Sequence, residues 1–279
     1  MKQHLHCRRP YGVIVFLIIC AVISIYPLLY MLFYSLKTSN EIFYTNPFGF
    51  PTNPQFSNYV RAVKSFNILL YFKNSLIVTI VATLGAILLS VPFSYAVSRM
   101  NWKFRKHISF YVSLGLFIPA QVIVIPLSIL VKNLHIANTY WAVVLPYIAF
   151  NLALACMVLS SSFATLPKEL EESAFIDGAS IQRTFLSIMV PLIKPAIATT
   201  SIFTVINVWN EYLLASILLT DNSVKTLPIG LASFVGQYST DWGAMGACMV
   251  IASVPMVVIY LVFSEQVESA LTVSGAVKG

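Results

Sequence analysis

Three small groups of polar side chains stand out in a chain of 279 residues that is 58% hydrophobic. Glu169, Glu171 and Glu172 sit close together, with Asp177 and Gly178 shortly after them. Carboxylates this dense are favoured at the positive end of a helix and are repelled by anionic lipid. Such a segment serves better as a docking surface than as a helix lying on the membrane. Asn207, Asn210 and Glu211 interrupt an apolar run. A carboxylate at mid-membrane depth is costly unless it meets a polar partner or cavity. It either lines a pathway or an interface with another protein, or it bonds a neighbouring helix of its own chain; the residue types leave both open. His4, His6 and Cys7 form a compact trio without a nearby fourth ligand, so a loose basic tail describes them better than a metal site. No Gly-x-x-x-x-Gly-Lys-Ser/Thr segment is present, so no P-loop for ATP is expected. The histidines, His4, His6, His107 and His135, form no Ser/His/Asp or metal-hydrolase set. The chain itself is expected to catalyse nothing and to need no cofactor or metal.

The solvent for these groups follows from composition. Only 10% of residues are charged, against about a quarter in a soluble domain, and the mean hydropathy is +0.82. The net charge of +7 does not indicate nucleic acid, because the basic residues lie between long apolar runs and not within a polar surface. Cys20, Cys156 and Cys248 lie inside apolar stretches and Cys7 near the amino terminus, with neither disulfide nor zinc spacing. Arg8 and Arg9 precede an apolar run from Tyr11 to about Tyr34, longer than the roughly 7–15 residues of a signal peptide's apolar region. An uncleaved anchor is expected.

A spanning helix needs about 20 mainly apolar residues, which predicts crossings near 13–34, 75–98, 108–131, 140–162, 193–219 and 245–263. The fold class is therefore all-α and integral to the membrane, a bundle of about six transmembrane helices. Pro27, Pro92, Pro119, Pro126, Pro146 and Pro255 fall inside these runs, where neighbouring helices can satisfy the freed carbonyls. Lys2, Arg8 and Arg9, then Arg99, Lys103, Arg105 and Lys106, then Lys168, Arg183 and Lys194 mark one side, while only Lys132 and Lys225 mark the short and longer loops opposite. The positive-inside rule places that basic side, and both termini, in the cytoplasm.

Between the fourth and fifth runs, Pro167 suits the first turn of a helix, the three glutamates follow it, and Gly178 suits the left-handed residue that ends one. Ile181, Phe185 and Ile188 then share a helical face until Pro191, which is expected to stop it. A short helix, a turn and a second short helix are predicted.

This segment resembles the EAA loop of ABC-importer permeases, whose pattern is Glu-Ala-Ala, three residues, Gly, nine residues, Ile, any residue, Leu, Pro. Here it reads Glu172-Ser173-Ala174, Gly178 and Ile188-Met189-Val190-Pro191, with every spacing kept and two small departures, Ser173 and Val190. The resemblance implies a type-1 permease whose coupling helix fits a cleft in a separate ATP-hydrolysing subunit, with Glu172, Ser173, Ala174, Asp177 and Gly178 as the coupling residues. A helix set at an angle by a glycine turn is a lever, and nucleotide-driven closure can rock membrane helices only through something rigid.

Pro51-Thr52-Asn53-Pro54 with Asn58-Tyr59, Trp209-Asn210-Glu211-Tyr212 and the terminal Gly275-Ala276-Val277-Lys278-Gly279 resemble features of the carbohydrate-uptake permeases. Glu265 and Glu268 depart from relatives that are often basic there. The chain looks like the shorter, maltose-type permease subunit: a cytoplasmic tail at 1–12, the first span and an external loop at 13–69, the permease domain at 70–264 and a cytoplasmic tail at 265–279. That likeness implies a bacterial cytoplasmic membrane and several partners: a second permease forming a heterodimer, a dimeric ABC ATPase, an extracytoplasmic solute-binding protein, membrane lipid, and a sugar or oligosaccharide as cargo. It implies contacts of Gln237, Tyr238 and Trp242 with the solute-binding protein, and a place for Asn207, Asn210 and Glu211 on the pathway or permease interface. Phe117, Tyr147 and Phe150 are candidates to stack on a sugar, with lipid contact or packing as their competing use. Other cargo (phosphate, peptide or polyamine), an ion-coupled secondary transporter or channel, and a scaffold that moves nothing are the competing readings.

Overall fold

The apolar runs become helices, but not all of them become straight ones. The computed structural model describes the backbone of residues 11–232, 234 and 240–276, and the side chains of these other than 65, 66 and 264–276. In chain order the helices are α1 (Tyr11–Ser35), α2 (Ser57–Phe66), α3 (Ile68–Arg99), α4 (Arg105–Ser113), α5 (Ala120–Asn133), α6 (Trp141–Ala164), α7 (Glu169–Ile176), α8 (Ile181–Thr184), α9 (Val190–Leu192), α10 (Lys194–Trp209), α11 (Leu213–Leu218), α12 (Leu227–Ala232) and α13 (Trp242–Ala276). Among the described residues, four stretches are long and apolar enough to cross a membrane, Tyr11–Ser35, Ile68–Arg99, Trp141–Ala164 and Trp242–Phe263, and six if each of two bent pairs is one span.

The bends correct three expectations. The run at 108–131 is not one rod: Arg105–Phe117 and Ala120–Asn133 meet at 103°. Ile118 is extended there, at φ −90°, ψ 107°, because the ring of a following proline disfavours the helical region for the residue before it. Pro27, Pro92, Pro146 and Pro255 stay inside helices. Pro191 does not stop the helix that follows the Gly178 turn either. A π-helical stretch at Phe185–Met189 widens the turn ahead of it, which eases the clash of the proline ring with the preceding turn. The chain stays helical to Leu192 and breaks at Ile193, with a 72° bend into α10. The run at 193–219 is likewise divided, because α10 ends at Trp209 and α11 starts only at Leu213.

The described residues divide into two compact units, one drawn from Met1–Asn67 and Ser233–Ser253, the other from Ile68–Ala232 and Val254–Gly279. In the first, the loop after α1 folds around two buried charges. Lys37 Nζ donates to the carbonyls of Asn46 (2.7 Å) and Pro47 (3.1 Å). Glu41 accepts from the Thr52 hydroxyl (2.6 Å) and the Thr52 N–H (2.7 Å). The Thr52 hydroxyl, with its N–H and Asn46 adding to it, holds the Glu41 carboxyl below its ordinary value. Asn58 bonds the Ser35 and Lys37 carbonyls, Arg61 bonds Asn58, and Arg61 also pairs with Asp241 at 2.8 Å. Asp241 in turn accepts from the Ala244 N–H, capping α13.

The second unit is built on α3 and α6. The buried face of α3 is a stripe of small and polar side chains: Ser75, Thr79, Ala82, Ala86, Ser90 and Ser94. α3 packs along α6, where Ser94 donates to the Cys156 carbonyl. Small residues let helix backbones approach closely where apolar burial alone gives no drive in lipid. One core cluster joins Val78, Val144, Tyr147, Val208 and Leu214. A second joins Val91, Tyr95, Leu159, Phe163, Met189 and Ile193.

Candidate functional site

The acidic segment folds as a helix, a turn and a helix. Glu169, Glu171 and Glu172 occupy the first turn of α7, which ends at Ile176. The Gly178 N–H bonds the Phe175 carbonyl and the Ala179 N–H bonds the Ala174 carbonyl, the paired bonds of a Schellman turn. Gly178 takes φ +80°, which an L side chain resists. Ser180 then caps α8 by accepting from the Arg183 N–H.

Of the residues expected to couple, Glu172, Ser173, Asp177 and Gly178 are exposed, whereas Ala174 is 6% exposed and faces its own unit. Beside the polar ones, Phe175, Ile176 and Ile181 are exposed too. The result is an apolar knob rimmed by carboxylates, raised on a rigid turn. Sequence reasoning missed what holds it. Arg99, at the end of α3, donates through Nε to Glu171 Oε2 (2.6 Å), and Tyr95 donates to Glu171 Oε1 (2.8 Å). In the sequence alone Arg99 counts only as an orientation marker. Its place at the end of an apolar run, opposite a glutamate cluster, was the available signal.

Deeper in the second unit, Glu211 sits in the break between α10 and α11. Its carboxylate accepts from the Leu214 N–H (2.8 Å), the Ala215 N–H (3.1 Å) and the Tyr147 hydroxyl (2.5 Å). The two backbone donors are the open end of α11, where a negative charge is favoured. Asn151 donates to the Tyr147 carbonyl and Asn207 to Asn151 Oδ1 at 3.3 Å. Tyr147, Phe150, Asn151, Asn207 and Glu211 line a cavity of about 220 Å³. Asn210 turns back to the Ile206 carbonyl (2.8 Å) and is exposed. Of the three aromatic candidates, Tyr147 is buried, Phe150 lines the cavity and Phe117 is exposed. Trp242, at the start of α13, stacks edge-on against Phe43 at 5.3 Å. Gln237 and Tyr238 lie outside the described residues, as does the His4, His6 and Cys7 trio. Among the described residues no group of His, Cys, Asp and Glu could hold a metal ion.

Comparison with known proteins places this architecture. Residues 86–273 match the family described as "Binding-protein-dependent transport system inner membrane component". The "Trehalose/maltose transport system permease protein MalG" of Thermococcus litoralis is 35% identical, with 94% of each chain covered. The "Sulfoquinovosyl glycerol transport system permease protein SmoH" of Agrobacterium fabrum is 32% identical over 94% of this chain and 91% of its own. A solved bacterial ABC transporter involved in the import of the acidic polysaccharide alginate superposes with a TM-score of 0.79 at 22% identity, covering 95% of this chain and 99% of that one, which is a likeness of fold. A multi-pass helical chain that matches this family over residues 86–273 and its permeases over nearly its whole length belongs to the inner-membrane permeases of binding-protein-dependent ABC transport systems.

Proposed function

We propose that this chain is one permease of an ATP-driven importer, moving a sugar or sugar derivative, and that α7 with the Gly178 turn docks into a separate ATPase subunit. The observation that carries the reading is the exposed knob of Phe175, Ile176 and Ile181, rimmed by Glu172 and Asp177. Exposed apolar side chains beside charged ones, on a turn stiffened by paired backbone bonds, suit a protein partner better than anionic lipid. Sugar cargo is supported by relatives whose names specify trehalose/maltose, sulfoquinovosyl glycerol and diacetylchitobiose.

In this reading Glu172, Ser173, Asp177 and Gly178 meet the ATPase, while Ala174 packs the helix down. The basic connections put this end, and both termini, in the cytoplasm. Asn207 and Asn210 face the pathway or a second permease; Glu211 shapes the cavity by holding α11 against α6. Trp242, with Gln237 and Tyr238, meets a solute-binding protein outside. The ATP is bound and hydrolysed by the partner.

Co-purification from membranes, joined to uptake of labelled sugars in vesicles with ATP supplied or withheld, tests this. An ATPase subunit and a second permease are expected to come down with the chain, and uptake is expected to require ATP. Ion-driven flux by this chain alone would sink the reading. ATP-dependent uptake of phosphate or peptide in place of sugar would keep the permease and change its cargo.

A further inference from the structure

The geometry points to Glu171, the residue just before the EAA-type motif, as the positioning residue that carries displacement of α7 into α3 through Arg99. The inference rests on the reading of α7 as the docking element, and concerns how a push on it reaches the membrane helices.

Arg99 has a side chain only 5% exposed and Glu171 one 13% exposed, although α7 around them is largely open. Glu171 Oε2 lies 2.6 Å from Arg99 Nε and 2.5 Å from Nη2. Oε1 is held by Tyr95, one helical turn before Arg99 on α3. The remaining face of the guanidinium is spent on carbonyls. Nη1 donates to Leu166 (2.9 Å) and, more weakly, to Phe163 (3.5 Å), and Nη2 to Pro167 (3.3 Å). One planar fork therefore ties together the end of α3, the end of α6 and the entry to α7, and it places a cation at two helix carboxyl ends where it is favoured.

The second cytoplasmic helix is gripped from the same point. The Tyr95 ring lies 5.5 Å from Phe163 of α6 and 4.9 Å from Phe185 of the π-helical stretch. Moving α7 without moving α3 and α6 would strand a part-buried arginine and a part-buried glutamate. Replacing a buried ion pair with apolar residues is often harmless to stability. What a fork-and-carboxylate pair adds is a fixed direction between two elements, which is what a joint under load requires. Glu172 faces outward toward a partner; Glu171 faces inward toward the lever arm.

The test uses the complete importer with its ATPase in vesicles, reading solute moved and ATP hydrolysed per assembled complex. Glu171→Gln is expected to lower the ratio of transport to hydrolysis by at least about tenfold, in keeping with the loss of one partner of a buried pair. Arg99→Lys keeps the charge but not the fork and is expected to lower the ratio too. Tyr95→Phe removes a single hydrogen bond from the same carboxylate and is expected to lower it by about two- to fivefold. It serves if Glu171→Gln fails to assemble. A purely architectural role would lower the amount of complex and leave the ratio alone, and that result overturns the proposal. A Ser173→Cys crosslink to the ATPase separates the two levels: crosslink present with an unchanged ratio sinks this inference alone, and crosslink absent sinks the docking reading as well.

Discussion

Tyr147 of α6 donates to Glu211, which lies in the break after α10, across 2.5 Å. The same carboxylate caps α11 through Leu214 and Ala215, so one side chain fixes the angle at which three helices meet. Glutamine in its place offers a single acceptor oxygen to these donors. Glu211→Gln is therefore expected to destabilise the fold by about 1–3 kcal/mol, seen as a lower thermal midpoint of the solubilised complex. Asn207→Ala, at the rim of the cavity, is expected to leave that midpoint in place and change sugar uptake. An unmoved midpoint in Glu211→Gln would contradict the bracing role.

Gly178 isolates a backbone requirement from a steric one, because an added Cβ would meet nothing within 4 Å. Only its φ of +80° opposes a side chain, by about 1–2 kcal/mol for alanine and less for asparagine. Transport per ATP should fall in the order Gly178, Gly178→Asn, Gly178→Ala, with the β-branched Gly178→Val lowest. Equal activity across the series would show that the turn carries no load.

The loop after α1 should be sensitive to acid. Bonds from Thr52 depress the Glu41 carboxyl below its ordinary 4.5. A depressed carboxylate contributes stability that is fully present above its unfolded value and is lost as pH falls through the folded one. Limited proteolysis between residues 36 and 56 should thus be slow near pH 7 and accelerate below about pH 4.5. Glu41→Gln should cleave faster at neutral pH and lose most of this pH dependence. A parental-like profile in the variant would remove Glu41 as the cause.

Close packing of α13 on the end of α1 gives a further test. A Cβ at Gly246 would lie 2.4 Å from Tyr34 Cδ1 and 3.1 Å from the Ser35 backbone. Crowding of this kind costs about 1–3 kcal/mol. Gly246→Ala should lower the yield of folded protein in membranes, while Gly12→Ala, where nothing lies within 4 Å, should not.

Hydropathy and local punctuation made a good part of this protein legible. Apolar length alone marks α1, α3, α6 and the first part of α13, because lipid compatibility is a sum over neighbours in sequence. The helix–turn–helix of α7 and α8 could be read from Pro167, the glutamates and Gly178, each acting within a few residues of itself. The same locality explains the misses. Pro119 marks a 103° bend while Pro92 and Pro146 lie within long helices, and no local rule separates them, since the outcome depends on which neighbours can satisfy the freed carbonyls.

The partners of the part-buried charges were beyond reach for a further reason. Arg99 meets Glu171 across 72 positions and Tyr147 meets Glu211 across 64, and an electrostatic pair is specified by distance in space. Residue types and spacing determined by themselves that the chain lives in lipid, and that one acidic segment folds as a short helix, a turn and a second short helix. Only the packing of α3 against α6 decided which glutamate is exposed and which is clamped inward. The reason is that a charge taken out of water settles on whatever opposite group the folded helices bring within bonding distance.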